Sequence, residues 1–77
     1  MVYFHNISDE DSLAINMADK EYGNTALIMA ASRGHTDVVT LLIQGHANVN
    51  TQNLTQETAL SLSAKYGYLD IVEELIT

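Results

Sequence analysis

The chain repeats itself at an offset of 33 residues, and that period constrains its fold more than any local propensity does. Aligned as 22–44 against 55–77, the two stretches share nine identities in 23 pairs. Thr25-Ala26-Leu27 recurs as Thr58-Ala59-Leu60, Ala31 as Ala64, Gly34 as Gly67, and Asp37 as Asp70. Val39 then matches Val72, and Leu42-Ile43 match Leu75-Ile76, with Val38/Ile71 and Met29/Leu62 as aliphatic exchanges. A period of about 20–50 residues is the signature of a solenoid, whose units bury their apolar faces only against neighbours.

Within each copy, apolar and small residues fall at i, i+1, i+4 and i+5: Ala26, Leu27, Ala30 and Ala31, then Ala59, Leu60, Ser63 and Ala64. That is a helical face, since alternation in a strand would split Ala26 from Leu27. Small residues on the stripe let a second helix approach closely. Thr25 and Thr58 stand where an N-cap belongs, and Gly34 and Gly67 supply the helix stop. A second helix follows, with Asp37 and Asp70 at its positive end. Its copy predicts Ile71, Val72, Leu75 and Ile76 buried and Glu73 and Glu74 in water. Gly45 to Glu57 carries no helical stripe and reads as an extended loop or hairpin. Each unit is thus helix, tight turn, helix, long loop, and the fold class is all-α.

A chain of 77 residues is one small domain, burying about 60–65% of its unfolded surface. Leu60→Ala is therefore expected to cost about 2–4 kcal/mol as a core truncation. Ten acids face three bases, Lys20, Arg33 and Lys65, for a net charge of −7. Residues 1–22 carry a net −4 and 56–77 a net −3, while the middle is neutral. Such a chain repels phosphate backbones and anionic membranes, and its ends favour a partner with a basic surface. With no cysteine, a disulfide framework and a thiolate metal site are both excluded. No basic-then-apolar leader opens the sequence, and the longest apolar run, Ala26 to Ala31, is far short of a membrane span. An intracellular, cytoplasmic location is expected.

Signals for chemistry are weak. His5, His35 and His46 lack the spacing that would bring two ligands together on one helix. Asp9-Glu10-Asp11 lacks the later oxygen ligands and glycine of a calcium loop and reads as a solvated tail. Asn6-Ile7-Ser8 and Asn53-Leu54-Thr55 match the glycosylation triplet in a chain with no secretory leader. No nucleophile–base set or glycine-rich phosphate loop occurs. Neither catalysis nor a cofactor or metal is expected.

Gly23-Asn24-Thr25-Ala26-Leu27, Ala30-Ala31, Gly34-His35, Val38-Val39, Leu41-Leu42 and Ala47-Asn48-Val49-Asn50 together resemble an ankyrin repeat, over about residues 15–77. The resemblance implies a short ankyrin-type helical solenoid of helix-turn-helix units joined by hairpin-like loops, with units near 23–55 and 56–77. The tetratricopeptide alternative expects Trp and Pro landmarks that are absent. Residues 1–14 fit no unit and read as a divergent tail or partial cap.

The sequence departs from the family at several points. Thr-Pro-Leu-His becomes Thr-Ala-Leu-Ile and then Thr-Ala-Leu-Ser. Gln56 replaces the hairpin glycine, predicting a strained or differently shaped second turn. His46 takes the position of the helix-ending glycine, with Gly45 one residue early. The stretch from Ile15-Asn16 to Thr25 is one residue longer than Val49-Asn50 to Thr58, predicting a longer first tip. The resemblance gives His35 a structural, hydrogen-bonding role.

It also implies protein–protein interaction through hairpin tips and inner helices. Carried over by position, partner-binding residues would be Glu21, Tyr22, Asn24, Ser32 and Arg33 in the first unit. The second would offer Leu54, Thr55, Glu57, Lys65 and Tyr66. The two tyrosines and Arg33 stand out, because large rings and Arg dominate interface energetics. An alternative is a structural fragment or end of a longer array that regulates an attached domain. Arrays usually need about three units, so self-association through uncapped repeat ends is a further expectation.

Overall fold

The computed structural model describes residues 14–77. Two helix pairs stack side by side: α1 (Ala26–Ser32) with α2 (Thr36–Gln44), and α3 (Ala59–Lys65) with α4 (Leu69–Ile76). The short helices α1 and α3 pack against each other as an inner layer, with α2 and α4 behind them. No strand occurs among the described residues. The all-helical solenoid expected from the period is the architecture found.

Local chemistry sets the helix limits. The Thr25 Oγ1 accepts from the Ile28 N–H at 3.2 Å, and the Thr58 Oγ1 accepts from the Ser61 N–H at 3.0 Å. Ser61 returns the bond, its Oγ accepting from the Thr58 N–H at 2.9 Å, to close a capping box. Each such cap contributes about 1 kcal/mol. Both stop glycines sit at positive φ, +74° for Gly34 and +78° for Gly67, and the second helix of each unit opens with its acid in the first turn. His35 differs from expectation. It is exposed and its side chain does not cap α2; its backbone N–H donates to the Ala30 C=O at 3.0 Å and its C=O accepts from the Val39 N–H at 3.0 Å.

The core lies between the two units. Leu27, Ile28, Ala31, Val39 and Ile71 are essentially closed to solvent, with Ala30, Ala59 and Leu62 around them. The expected stripe needs correction at its ends. Leu60 is 38% exposed whereas its counterpart Leu27 is 1% exposed. Ala31 is buried and Ala64 exposed; Ala59 is buried and Ala26 exposed. Ile76, expected inside, is 65% exposed, with Val72 and Leu75 only half-buried. Every helix has one side toward the other unit and one side away, so equivalent residues differ by which side is covered. Ile28 was absent from the expected stripe and is 2% exposed.

The loops match the sequence departures closely. Gln56 adopts φ +65°, nearly that of Gly23 at +72°, so a residue with a Cβ holds a glycine conformation. His46 does the same at φ +69°, while Gly45 remains at −84°. The first tip is the longer one: the Gly23 N–H reaches back four residues to the Asp19 C=O, whereas the Gln56 N–H reaches back three to Asn53. Residues 1–13, with His5, the acid run and the first glycosylation triplet, lie outside the described residues.

Candidate functional site

In the first unit, the hairpin tip and the C-terminal end of α1 enclose an open groove of 590 Å³. All five residues singled out there, Glu21, Tyr22, Asn24, Ser32 and Arg33, line it, joined by Asp19, Lys20 and Met29. Asp19 builds the tip. Its carboxylate accepts from the Tyr22 N–H at 2.7 Å and the Gly23 N–H at 3.0 Å. These bonds, that to Tyr22 foremost, hold its carboxyl below the usual range. The neighbouring Glu21 carboxylate pushes the Tyr22 hydroxyl up, yet the ring stays 60% exposed. Ser32 turns its hydroxyl to the Met29 C=O at 2.9 Å, which leaves its oxygen lone pairs toward the groove.

The second tip is organised by Asn53, whose Oδ1 accepts from the Thr55 N–H and the Glu57 N–H at 3.0 and 2.9 Å. Its amide donates to the Glu57 carboxylate at 3.1 Å and to the Asn24 Oδ1 at 2.9 Å. The Thr55 hydroxyl donates to Glu57 at 2.8 Å. Asn53 first and Thr55 next hold the Glu57 carboxyl below its ordinary value. The Leu54 N–H donates to the Tyr22 C=O at 2.9 Å, while the Leu54 side chain stays exposed. Asn24 and the Leu54 backbone therefore tie tip to tip, while Glu57 braces the second tip from within. At the end of α3, the Lys65 ammonium lies 5.5 Å from the Tyr66 ring centroid. Tyr68 flanks that ring at 6.1 Å. Tyr66 remains half-exposed.

A family model described as ankyrin repeats (three copies) matches residues 4–77. The chain belongs to the ankyrin-repeat family. Its match opens at residue 4, inside the stretch read as a tail. Among curated relatives, Palmitoyltransferase ZDHHC17 of Danio rerio is 42% identical over 52 residues, covering 68% of this chain and 8% of the relative. E3 ubiquitin-protein ligase XBAT33 of Arabidopsis thaliana is 38% identical over 53 residues, covering 69% of this chain and 10% of the relative. Ankyrin repeat domain-containing protein SAT10 of Stachybotrys chartarum is 41% identical over 63 residues, covering 74% and 3%. The chain thus spans a tenth or less of each of these relatives.

Ankyrin arrays are protein-interaction folds rather than catalytic ones, and their surfaces do the work. Among the described residues, no helix is long and apolar enough to cross a membrane, and no group of His, Asp and Glu could hold a metal ion. Sequence reasoning missed Asp19, Asn53 and Met29. The first two carry a legible signal, an Asp or Asn at the start of a turn, where its side chain caps backbone N–H groups. Met29 had none, because its counterpart Leu62 is a core residue at 6% exposure.

Proposed function

We propose that this ankyrin array docks a segment of a partner protein along the face made by the two tips and the ends of α1 and α3. The carrying observation is that five residues chosen by position alone line one groove beside a rigidly hydrogen-bonded tip. Tyr22 and Arg33 supply the anchors there, and Leu54, Thr55, Glu57, Lys65 and Tyr66 continue the face onto the second unit. We place the module inside the cell and assign it no catalytic step. Its acidic ends attract basic surfaces at long range; what enters the groove is a separate matter of local chemistry.

Peptides selected from a random library on the immobilised chain test this reading, with amide chemical shifts mapping where they bind. Shifts concentrated on residues 19–24, 29–33, 54–57 and 65–66 support it. Shifts confined to α2 and α4 would reject it.

The second reading, an end section of a longer array that serves an attached domain, is favoured by one observation. Leu60 and Ile76 are open where Leu27 is closed, so this side suits a further unit of the same kind or a second copy. Sedimentation across a wide concentration range decides the second-copy form, since a fixed monomer mass rejects self-association. On either reading we divide the chain into a segment 1–14 and an array 15–77.

A further inference from the structure

The two halves of the contact between the units recur, open to solvent, on the two outer sides of the described pair. On the first unit that contact is made by Leu27, Ala31 and Val39, all buried. Their counterparts 33 residues on are Leu60 and Ala64, both exposed, and Val72, half-buried, with Ile76 exposed beside them. On the second unit the contact is made by Ala59, Leu62 and Ile71, again buried. Their counterparts 33 residues back are Ala26 and Val38, exposed, and Met29, half-buried, with exposed Leu41 one turn along α2. The turns follow the same rule. The Tyr68 ring lies over Gly34, within 3.3 Å of where a Cβ would stand, whereas a Cβ on Gly67 would meet nothing within 4 Å. The counterpart of Tyr68 is His35, exposed at the turn of the first unit.

From this complementarity we propose that a second copy of the chain stacks head to tail. The side bearing Leu60 and Ile76 on one copy meets the side bearing Val38 and Leu41 on the next, and His35 of the incoming copy lies over Gly67. The contact continues the one between the units, and it deepens the second reading above by naming the occupant of the open side. Because unlike faces meet, the assembly is heterologous, and a dimer keeps a free face at each end on which to grow. Charge opposes it. Between units the Asn53 amide donates to Asn24 at 2.9 Å. Between copies the matching places hold Asp19, which organises the first tip as Asn53 does the second, and Glu57. The Thr40 to Glu74 hydrogen bond at 2.7 Å likewise gives way to Glu73 and Leu41. Each copy also carries a net −7. Salt screens these charges, the Debye length falling from about 8 Å at physiological strength to about 3 Å at 1 M, while apolar burial is left intact. The stack should thus strengthen with salt, the reverse of an association held by opposite charges.

Sedimentation of the 77-residue chain at up to about 1 mM, in about 0.15 M and about 1 M salt, tests this with two variants. Leu41→Lys blocks one face and Ile76→Lys the other, each at an exposed position. Both lower the net negative charge, so lost association cannot come from added repulsion. Thermal melts by circular dichroism first establish that the variants fold like the wild type. The wild type should grow with concentration through dimers to longer species, with an apparent affinity about tenfold higher at the higher salt. Each variant alone should stay monomeric. An equimolar mixture of the two should stop at the dimer, because the open face of one variant meets the open face of the other. A wild type that is monomeric at both salts would overturn the stack and leave a further unit as the occupant of the open side. Leu41→Lys dimerising alone would replace the stack by a two-fold pairing of the sides that bear Leu60 and Ile76. Ile76→Lys dimerising alone would overturn both the stack and the second reading.

Discussion

Leu27 and Leu60 offer a matched pair of truncations, because they share a position in the repeat and differ in what covers them. Leu27 is 1% exposed, wedged between the units, and Leu60 is 38% exposed on the side away from the first unit. Truncating Leu27 removes nearly the full transfer term of a buried leucine and leaves a cavity walled by Ile28, Ala31 and Val39, for about 3–4 kcal/mol. Leu60 buries about three-fifths of its surface, and any space left behind opens to water. Its transfer term alone is about 1–1.5 kcal/mol, reduced by a few tenths because Ala favours helix. A chain of this length has roughly 4–11 kcal/mol in total, so Leu27→Ala takes a large fraction and Leu60→Ala does not. Urea unfolding followed by far-UV circular dichroism reads both. With a slope near 1 kcal/mol/M for so small a protein, the midpoints should fall by about 3 M and about 1 M. Leu27→Val keeps the measurement possible where Leu27→Ala no longer folds. Equal losses at the two positions would refute the idea that coverage by a neighbouring unit sets the worth of each repeat residue.

Other perturbations follow from the same geometry. A Cβ on Gly34 would lie 2.9 Å from the Tyr68 ring at φ +74°, whereas one on Gly67, at φ +78°, meets nothing within 4 Å. Gly67→Ala should cost about 1–2 kcal/mol from backbone strain alone, and Gly34→Ala clearly more in the same urea assay. His46→Gly and Gln56→Gly relieve left-handed strain and should each raise stability by about 0.5–1 kcal/mol net of added chain entropy, seen as a melting temperature up by several degrees. Asp19 and Glu57 both have folded pKa values below their ordinary ones. Their stabilisation is present above the unfolded values and is lost as pH falls through the folded ones, below about pH 4. Asp19→Asn keeps an oxygen acceptor and loses the titration, so its melting temperature should fall less on acidification than that of the wild type.

Much of this fold was legible because its signals are local or periodic. The threonine caps, the stop glycines and the extra residue in the first tip each follow from the chemistry of a few adjacent residues. Burial was less legible, and for one physical reason. A stripe identifies a helix face, but whether Leu27 or Leu60 is inside depends on a neighbouring unit that its own stripe does not encode. His46 was legible by contrast: it stands at the position of the helix-ending glycine, and its φ is +69° while Gly45 stays at −84°. At the site, the pairings were not legible. Nothing in their spacing revealed that Asn24 bonds Asn53 across 29 residues or that Leu54 and Tyr22 join backbones.

The repeat also separates packing from recognition within a single chain. Both copies meet the same demands for capping, turning and close approach, so residues serving those demands recur: Thr25 and Thr58, Leu27 and Leu60, Gly34 and Gly67, Asp37 and Asp70. At the five face positions the copies agree nowhere. Glu21 faces Leu54 in the alignment, Tyr22 Thr55, Asn24 Glu57, Ser32 Lys65, and Arg33 Tyr66. These exchanges add or remove charge and change size and polarity while the helix pair of each unit stays the same, so the fold places little demand on those side chains.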